Sequence, residues 1–301
     1  MARDLSRLGD IMGINRRNLD LIRSRNPRAS FPLVDDKIRT KELLAGVGVP
    51  CPRTLRIVDN FLAVDRAISA LAREPSFVVK PARGRGGGGV LLVRRLDDGS
   101  WATPSGRPVA LDDLRKHFGD ILFGVYSFGA MDDRALVEKR IEPHDMFVAM
   151  YANGIPDIRV ILLDERPVMS MLRVPTDASN GKANLHQGGI GVQVDLATGV
   201  TGNATFRGRP VLRHPDSGVA TGGQQIPFWD LVVEYSILAA RAVPLKYVGV
   251  DVVIDRADGP LVLEVNARPG LQIQVINGAG LRTVVEPDRR KASAASKEGR
   301  P

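Results

Sequence analysis

A run of glycines between two short β-forming segments restricts the possible fold more than any other feature of the sequence. Residues 77–79 and 90–93 are rich in valine and leucine, and five glycines between positions 84 and 89 separate them. Segments of this kind on either side of a glycine-rich stretch are typical of a β-hairpin. The sequence therefore predicts a hairpin with a flexible tip, with Lys80 at the end of its first strand.

The glycines and the lysine together are suited to binding phosphate. Glycine lets backbone N–H groups approach phosphate oxygens closely, and lysine adds a compact positive charge. A dinucleotide-binding turn or a P-loop would lead into a helix, and a protein kinase would place its glycines before the lysine. Because neither pattern fits, we interpret the segment as a glycine hairpin that covers phosphates. The alternative is a surface hairpin without a ligand. The candidate residues are Lys80, Gly84, Gly86, Gly87, Gly88 and Gly89.

Three oxygen-bearing side chains occur on two β-rich segments near the end of the sequence. Asp251 lies in VGVDVVID, and Glu264 and Asn266 lie in LVLEVNARPG. Residues two apart on a strand face the same side, and a neighbouring strand can bring Asp251 to the same place. Two carboxylates and an amide suit Mg²⁺. The alternative is ordinary alternation on a half-exposed hairpin.

Composition places the chain among folded soluble proteins. Of its 301 residues 44% are hydrophobic and 25% are charged, and the single cysteine excludes an intrachain disulfide. We expect a cytoplasmic protein without a membrane span, because no apolar stretch is long enough to cross one. The net charge of +8 is concentrated near both ends and not along one surface-forming segment, so we do not expect nucleic acid as a partner.

In sequence order, several motifs resemble the ATP-grasp superfamily. They are Lys37, VVKPARGRGGGGV, LVEKRI, PDIRV, NLHQGG, GVD and EVNARPG. Within the superfamily the chain is most similar to the RimK-type α-L-glutamate ligases and the α-L-glutamate ligase-like group, over roughly residues 35–280. The resemblance implies a carboxylate–amine ligase that forms an amide or peptide bond through an acyl phosphate. Glutamate or another amino acid is the expected type of substrate.

The resemblance also assigns roles to individual residues. Lys37 and Lys80 would hold ATP phosphates beneath the glycine loop. Glu138 and Lys139 would lie beside adenine, and Asp145 would bind the ribose. The expected catalytic residues are Arg159, Arg173, His186 and Asn266, and the expected magnesium ligands are Asp251, Glu264 and Asn266. ATP and two Mg²⁺ ions are expected, with Mn²⁺ as a substitute.

The expected architecture is a mixed α/β (α+β) ATP-grasp fold, with two α+β subdomains that clamp ATP and a reduced N-terminal domain. The predicted divisions are an N-terminal helical and loop segment (1–34), a remnant of the N-terminal domain with a linker (35–67), a small subdomain with the glycine loop (68–140), a C-terminal subdomain with the metal site (141–283) and a disordered tail (284–301). The predicted partners are ATP, a carboxylate and an amine from an amino acid, a peptide or a protein terminus. A homo-oligomer is left open.

Two features depart from the family pattern. Gln187 stands where RimK-type enzymes usually have arginine, and only about 36 residues precede Lys37. These departures leave the substrate open and keep one alternative, a catalytically inactive ATP-binding accessory protein. A basic RNA-associated protein is a further alternative, supported by net charge alone.

Overall fold

The computed structural model describes residues 9–84, 86–127 and 132–285, and this part of the chain forms two compact units. The small unit contains residues 35–42 and 51–142, and the large unit contains residues 9–34, 43–50 and 143–285. Within the described ranges, no helix combines the length and the apolar composition needed to cross a membrane. Most of the predicted tail, residues 286–301, lies outside the described residues.

Twelve strands are present in the described chain, and all of their pairings are antiparallel. The small unit contains β1 (Thr54–Val58), β2 (Ser76–Pro81), β3 (Leu91–Arg95), β4 (Trp101–Ala102) and β5 (Ala135–Lys139). The large unit contains β6 (Asp157–Leu163), β7 (Arg166–Val174), β8 (Ile190–Val194), β9 (Thr201–Phe206), β10 (Arg209–Val211), β11 (Tyr247–Asp255) and β12 (Gly259–Asn266).

Nine α-helices are described. They are α1 (Ile14–Arg17), α2 (Pro32–Asp35), α3 (Lys37–Gly46), α4 (Val64–Leu71), α5 (Leu111–Leu122), α6 (Asp145–Met150), α7 (Trp229–Arg241), α8 (Gln272–Asn277) and α9 (Leu281–Val285). Helix α3 begins after Asp36, whose carboxylate accepts the N–H groups of Ile38 and Arg39. Asp35, one residue earlier, is the last residue of α2.

The small unit is a five-stranded sheet in the order β1-β5-β2-β3-β4, and its core includes residues of α4 and α5. Alternate residues of β2 are buried, with Phe77 and Val79 in that core. Strands β2 and β3 pair as the predicted hairpin on either side of the glycines. The small unit begins earlier than the predicted boundary at residue 68, because β1 pairs with β5 and α4 contributes to the same core.

The large unit is a seven-stranded sheet in the order β10-β9-β8-β7-β6-β11-β12. Every residue of β11 is buried, which fits a strand that pairs on both sides, with β6 and β12, and is covered on both faces. Helix α7 contacts β6, β7, β11 and β12, and α8 contacts β7, β8 and β9. The two β-rich segments that the sequence indicated near its end form β11, which contains Asp251, and β12, which contains Glu264 and Asn266.

The N-terminal segment belongs to the large unit and is bound to it by buried polar groups. The amide of Asn26 donates to the carbonyls of Tyr247 and Ala267, and its oxygen accepts the N–H groups of Lys246 and Tyr247. Met12 exchanges two hydrogen bonds with the side chain of Gln274. Residues 9–34 therefore form part of the scaffold of the large sheet.

Candidate active-site residues

One face of the large sheet changes from apolar to charged along β6. Ile161 belongs to an apolar cluster with Met171 and Tyr247, whereas Arg159 and Asp157 follow at two-residue steps toward the start of the strand. Because alternate residues share a face, the charged side chains continue the line of the apolar ones. Helix α8 packs against the apolar part of this face. The charged part contains side chains that the sequence predicted to act in catalysis and metal binding.

Asp251 occupies the centre of the charged part. Register places it opposite Arg159 on one side and opposite Glu264 on the other. Arg159 donates from Nε to Oδ1 of Asp251 at 2.6 Å and from Nη2 to Oδ2 at 2.5 Å. The Asn266 amide lies 3.1 Å from Oδ2 of Asp251 and 3.2 Å from Oε1 of Glu264. The three predicted metal ligands are thus brought together.

Arg173 joins the same set from the neighbouring strand β7. Its Nη2 donates to Oδ2 of Asp251 at 2.8 Å and to Oδ2 of Asp157 at 2.6 Å, and its Nε donates to Oδ1 of Asp157. Asp157 and Arg173 are direct cross-strand partners. We call Asp157, Arg159, Arg173, Asp251, Glu264 and Asn266 the charged row.

The pKa values in the charged row follow from burial and from the neighbouring charges. Burial favours the neutral form of Asp251, but the charges of Arg159 and Arg173 outweigh it and hold the pKa of Asp251 well below its usual value. Burial raises the pKa of Asp157, and the negative charge of Asp251 adds to this effect against the opposing charge of Arg173. Asp251 is therefore ionised at neutral pH, as a metal ligand must be.

The donor chemistry of the charged row fits the expected magnesium ion. Asp251 and Glu264 supply carboxylate oxygens, and a half-turn of the terminal amide would direct Oδ1 of Asn266 to the same place. In the described ranges no group of three or more His, Cys, Asp or Glu side chains is placed to hold a metal, and the predicted set contains only two carboxylates. Its oxygens therefore suit an ion that keeps other ligands, such as waters and substrate phosphates.

In the small unit, Glu138 is buried between two lysines. Oε1 lies 2.6 Å from Nζ of Lys41, and Oε2 lies 2.5 Å from Nζ of Lys80. Burial favours the neutral acid, but the charges of Lys80 and Lys41 lower the pKa of Glu138 below its usual value. Lys80 is consequently held in a fixed position. The sequence placed Glu138 beside adenine, and that role stays a prediction.

The glycine loop is attached to helices of the small unit at both of its ends. Lys37 donates to the carbonyl of Gly84 at 2.7 Å, and Nε2 of His117 on α5 lies 3.0 Å from the carbonyl oxygen of Gly89. A Cβ on Gly84 would lie 2.2 Å from Pro81, and one on Gly89 would lie 2.6 Å from the Tyr126 ring. Close packing therefore requires glycine at these two positions.

The other predicted site residues lie elsewhere in the two units. Asp145 begins α6, is largely exposed and pairs with Arg256 at 2.6 Å. His186 is exposed on a short 3-10 turn, Leu185–Gln187, and its N–H donates to Asn184. Within the described chain, no hydrogen bond or ion pair joins Asp145 or His186 to the charged row. Lys139 ends β5, where its N–H donates to the carbonyl of Arg53.

Sequence reasoning did not identify three of the residues that hold these groups in place. Asp157 precedes Arg159 by two residues on the same strand, and this spacing could have indicated it. Lys41 follows Lys37 by one helical turn on α3, so the two share a helix face. His117 gave no local signal, because its partner Gly89 is 28 residues away in sequence.

Comparison with known proteins places the chain in a family. A family model described as sugar-transfer associated ATP-grasp matches residues 16–287. The fold is therefore of the ATP-grasp class, which confirms the predicted fold. Within that class, the chain belongs to the sugar-transfer associated ATP-grasp family.

Two curated relatives are similar to this chain over most of its length. A probable alpha-L-glutamate ligase of Xanthomonas oryzae pv. oryzae is 28% identical over 82% of this chain and 61% of its own length. One from Legionella pneumophila is 27% identical over 88% of this chain and 66% of its own length. The chain thus spans less than two thirds of the length of these relatives, which fit the predicted resemblance.

Two solved structures share the fold at low sequence identity. A D-alanyl-alanine synthetase A from Vibrio cholerae aligns with a TM-score of 0.51 and 14% identity, covering 84% of this chain and 62% of the other. A biotin carboxylase from Campylobacter jejuni aligns with a TM-score of 0.50 and 18% identity, covering 82% and 43%.

Proposed function

We propose that this chain is an ATP-dependent carboxylate–amine ligase that forms an amide or peptide bond. The main support is the charged row, in which two arginines, two candidate metal carboxylates and an amide converge on one face of the large sheet. The names of the curated relatives, probable alpha-L-glutamate ligases, support the same reaction class. Such a set is suited to stabilising negative charge on a phosphoryl group during its transfer.

The proposed reaction has two steps. An oxygen of the substrate carboxylate attacks the γ-phosphorus of ATP, the bond to the β-phosphate oxygen breaks, and ADP leaves. The nitrogen of the amine then attacks the carbonyl carbon of the acyl phosphate, inorganic phosphate leaves with the bonding electrons, and the nitrogen loses a proton. Neither step needs a covalent bond to the enzyme, so positioning and electrostatics provide the catalysis.

Each residue of the charged row has a proposed part in these steps. Arg159 and Arg173 stabilise the phosphoryl oxygens and the carbonyl oxygen as negative charge develops on them. Asp251, Glu264 and Asn266 would hold magnesium, which neutralises phosphate charge when bound. Two ions, and Mn²⁺ as a substitute, are part of the proposal.

The small unit supplies a second proposed set of contacts. Lys80, held by Glu138, and the backbone N–H groups of the glycine loop would bind phosphate oxygens, with Lys37 supporting the loop through Gly84. The proposal has three further parts: Glu138 and Lys139 lie beside adenine, Asp145 binds the ribose, and His186 contacts the substrate. Their support is their match to the family motifs.

An amino acid is the proposed amine or acid substrate, and glutamate is the first candidate. The support is the name of the curated relatives, and Gln187 in place of arginine is the reason to test other amino acids as well. A reducing cytoplasmic location is also proposed, because the sequence has one cysteine.

The proposal is tested by ADP release from ATP and Mg²⁺ with a panel of amino acids and short peptides. We expect release that depends on both an acid and an amine, with the amide product detected by mass spectrometry. Asp251→Asn should lower the rate on the order of 10²–10³-fold while the fold persists. Asp230→Asn, the same change at an exposed position on α7, is the matched control. ATP binding with no ADP release under any condition would instead support the accessory protein.

A further inference from the structure

Asp157 is a buried carboxylate that the proposed reaction does not itself use. It lies at the start of β6 directly opposite Arg173, and both side chains are only 13% exposed. Its two oxygens accept from Nε and Nη2 of Arg173, so the guanidinium fork is fully matched. An ionised pair of this kind, buried and two-pronged, fixes the orientation of the arginine.

Asp251 has a weaker hold on the same arginine. It receives one bond from Arg173, at 2.8 Å, and shares the donating Nη2 with Asp157. The remaining contacts of Asp251 with arginine come from Arg159, which binds both of its oxygens. Arg173 is therefore attached to Asp157 by two bonds and to Asp251 by one.

This difference affects how strongly Asp251 can bind a metal ion. The metal site itself rests on the proposed function. A cation at Asp251 would need carboxylate oxygens that now face guanidinium groups, so Arg159 and Arg173 compete with it. If Asp157 lost its charge, the strongest acceptor left for the fork of Arg173 would be Asp251. The metal would then have to displace a more tightly bound arginine.

We propose that Asp157 is a positioning residue that retains Arg173 and so keeps Asp251 available to the metal. In the described chain its hydrogen bonds go to Arg173 and not to Asp251, Glu264 or Asn266, so it acts through Arg173. The carboxylate also keeps the arginine in place after Asp251 turns to the ion. Removal of Asp157 should therefore weaken metal binding, and removal of Arg173 should reverse that loss.

The experiment measures Mn²⁺ binding to the full chain in the presence of ADP, by electron paramagnetic resonance of free Mn²⁺. We expect Asp157→Asn to weaken Mn²⁺ binding on the order of 10–100-fold, the usual effect of a lost outer partner. Arg173→Met alone should leave it unchanged or tighter. The double variant Asp157→Asn with Arg173→Met should bind Mn²⁺ as Arg173→Met does, although it remains inactive.

The outcomes separate this role from a structural one. Unchanged Mn²⁺ binding in Asp157→Asn, or a double variant as weak as Asp157→Asn, would overturn the inference. If Asp157→Asn does not fold, Asp157→Glu is measured in its place, because it keeps the negative charge but moves it by one methylene. It should lose less Mn²⁺ affinity than expected for Asp157→Asn, and adding Arg173→Met should abolish that loss. A wild-type chain that binds ATP analogues but no Mn²⁺ would overturn the proposed metal site and this inference together.

Discussion

Lys41 and Glu138 lie 97 residues apart in sequence, yet their side chains form a 2.6 Å ion pair in the interior of the small unit. The other oxygen of Glu138 is bound by Lys80 at 2.5 Å. Neither lysine side chain is more than 15% exposed, so water offers little alternative solvation. The carboxylate thus neutralises two cations that would otherwise be buried together.

We predict that Glu138→Gln destabilises the small unit by about 3–5 kcal/mol, because it leaves buried charge without a partner. Thermal and denaturant unfolding monitored in the small unit would measure the loss. Glu74→Gln is the matched control, since the Arg53–Glu74 pair is partly exposed and 3.7 Å long and should contribute about 0–1 kcal/mol. Equal losses in the two variants would contradict the prediction.

The lowered pKa of Glu138 predicts a dependence of stability on acid pH. The folded-state pKa lies below that of the unfolded chain, about 4.3, so the contribution is fully present above about pH 4.3. It is lost as the pH falls through the folded-state pKa, where the carboxylate becomes protonated. Unfolding measured from about pH 6 to about pH 3 should show a steeper loss in the wild type than in Glu138→Gln. Parallel curves would show that Glu138 does not contribute.

The contact between His117 and Gly89 predicts an effect on nucleotide affinity. Burial lowers the pKa of His117, so the neutral ring can hold the loop carbonyl at neutral pH. His117→Ala should weaken ATP binding by up to about tenfold, since one hydrogen bond contributes about 0.5–1.5 kcal/mol. Calorimetric titration with ATP measures this. Lys116→Ala, an exposed neighbour on α5, should leave the affinity unchanged.

From the hydrogen bonds of Asn26 we predict that the N-terminal segment stabilises the large unit. Its buried side chain makes four hydrogen bonds, three of them fully buried, and Asn26→Ala would leave their backbone partners unsatisfied. We expect a loss of about 2–3 kcal/mol in the free energy of unfolding. Ser24→Ala, on an exposed part of the same segment, should cost far less. A near-zero effect at Asn26 would mean that the segment is dispensable for stability.

Cys51 should react slowly with alkylating reagents in the folded protein. Burial raises the pKa of its thiol to about 11, so little thiolate is present at neutral pH. Mass spectrometry after iodoacetamide treatment should show slow labelling that accelerates on unfolding. Rapid labelling of the native protein would contradict this prediction.

Local sequence patterns predicted the elements of the fold well. The valine-rich segments on either side of the glycines form β2 and β3, and the alternation around Glu264 and Asn266 places both on the same face of β12. These features depend on residues close together in the chain. Periodicity of two and the turn preferences of glycine are enough to predict them.

Pairings between distant residues could not be predicted in the same way. The family resemblance indicated Arg159 as a catalytic residue and Asp251 as a metal ligand, whereas the fold joins the two side chains directly. Strand order determines that contact, because β11 lies between β6 and β12. The ion pair between Lys41 and Glu138 could not be predicted either, because the residues are 97 positions apart and no local pattern around one indicates the other.

The large unit is discontinuous in sequence, and this affects the order in which a ribosome can complete it. All five strands of the small unit lie between residues 54 and 139, so that sheet can close while later residues are still being synthesised. Met12 and Asn26 can form their hydrogen bonds only after Gln274, Tyr247 and Ala267 have been synthesised. A chain whose synthesis had not reached residue 247 could contain a complete small sheet, while Met12 and Asn26 would still lack their hydrogen-bond partners in the large unit.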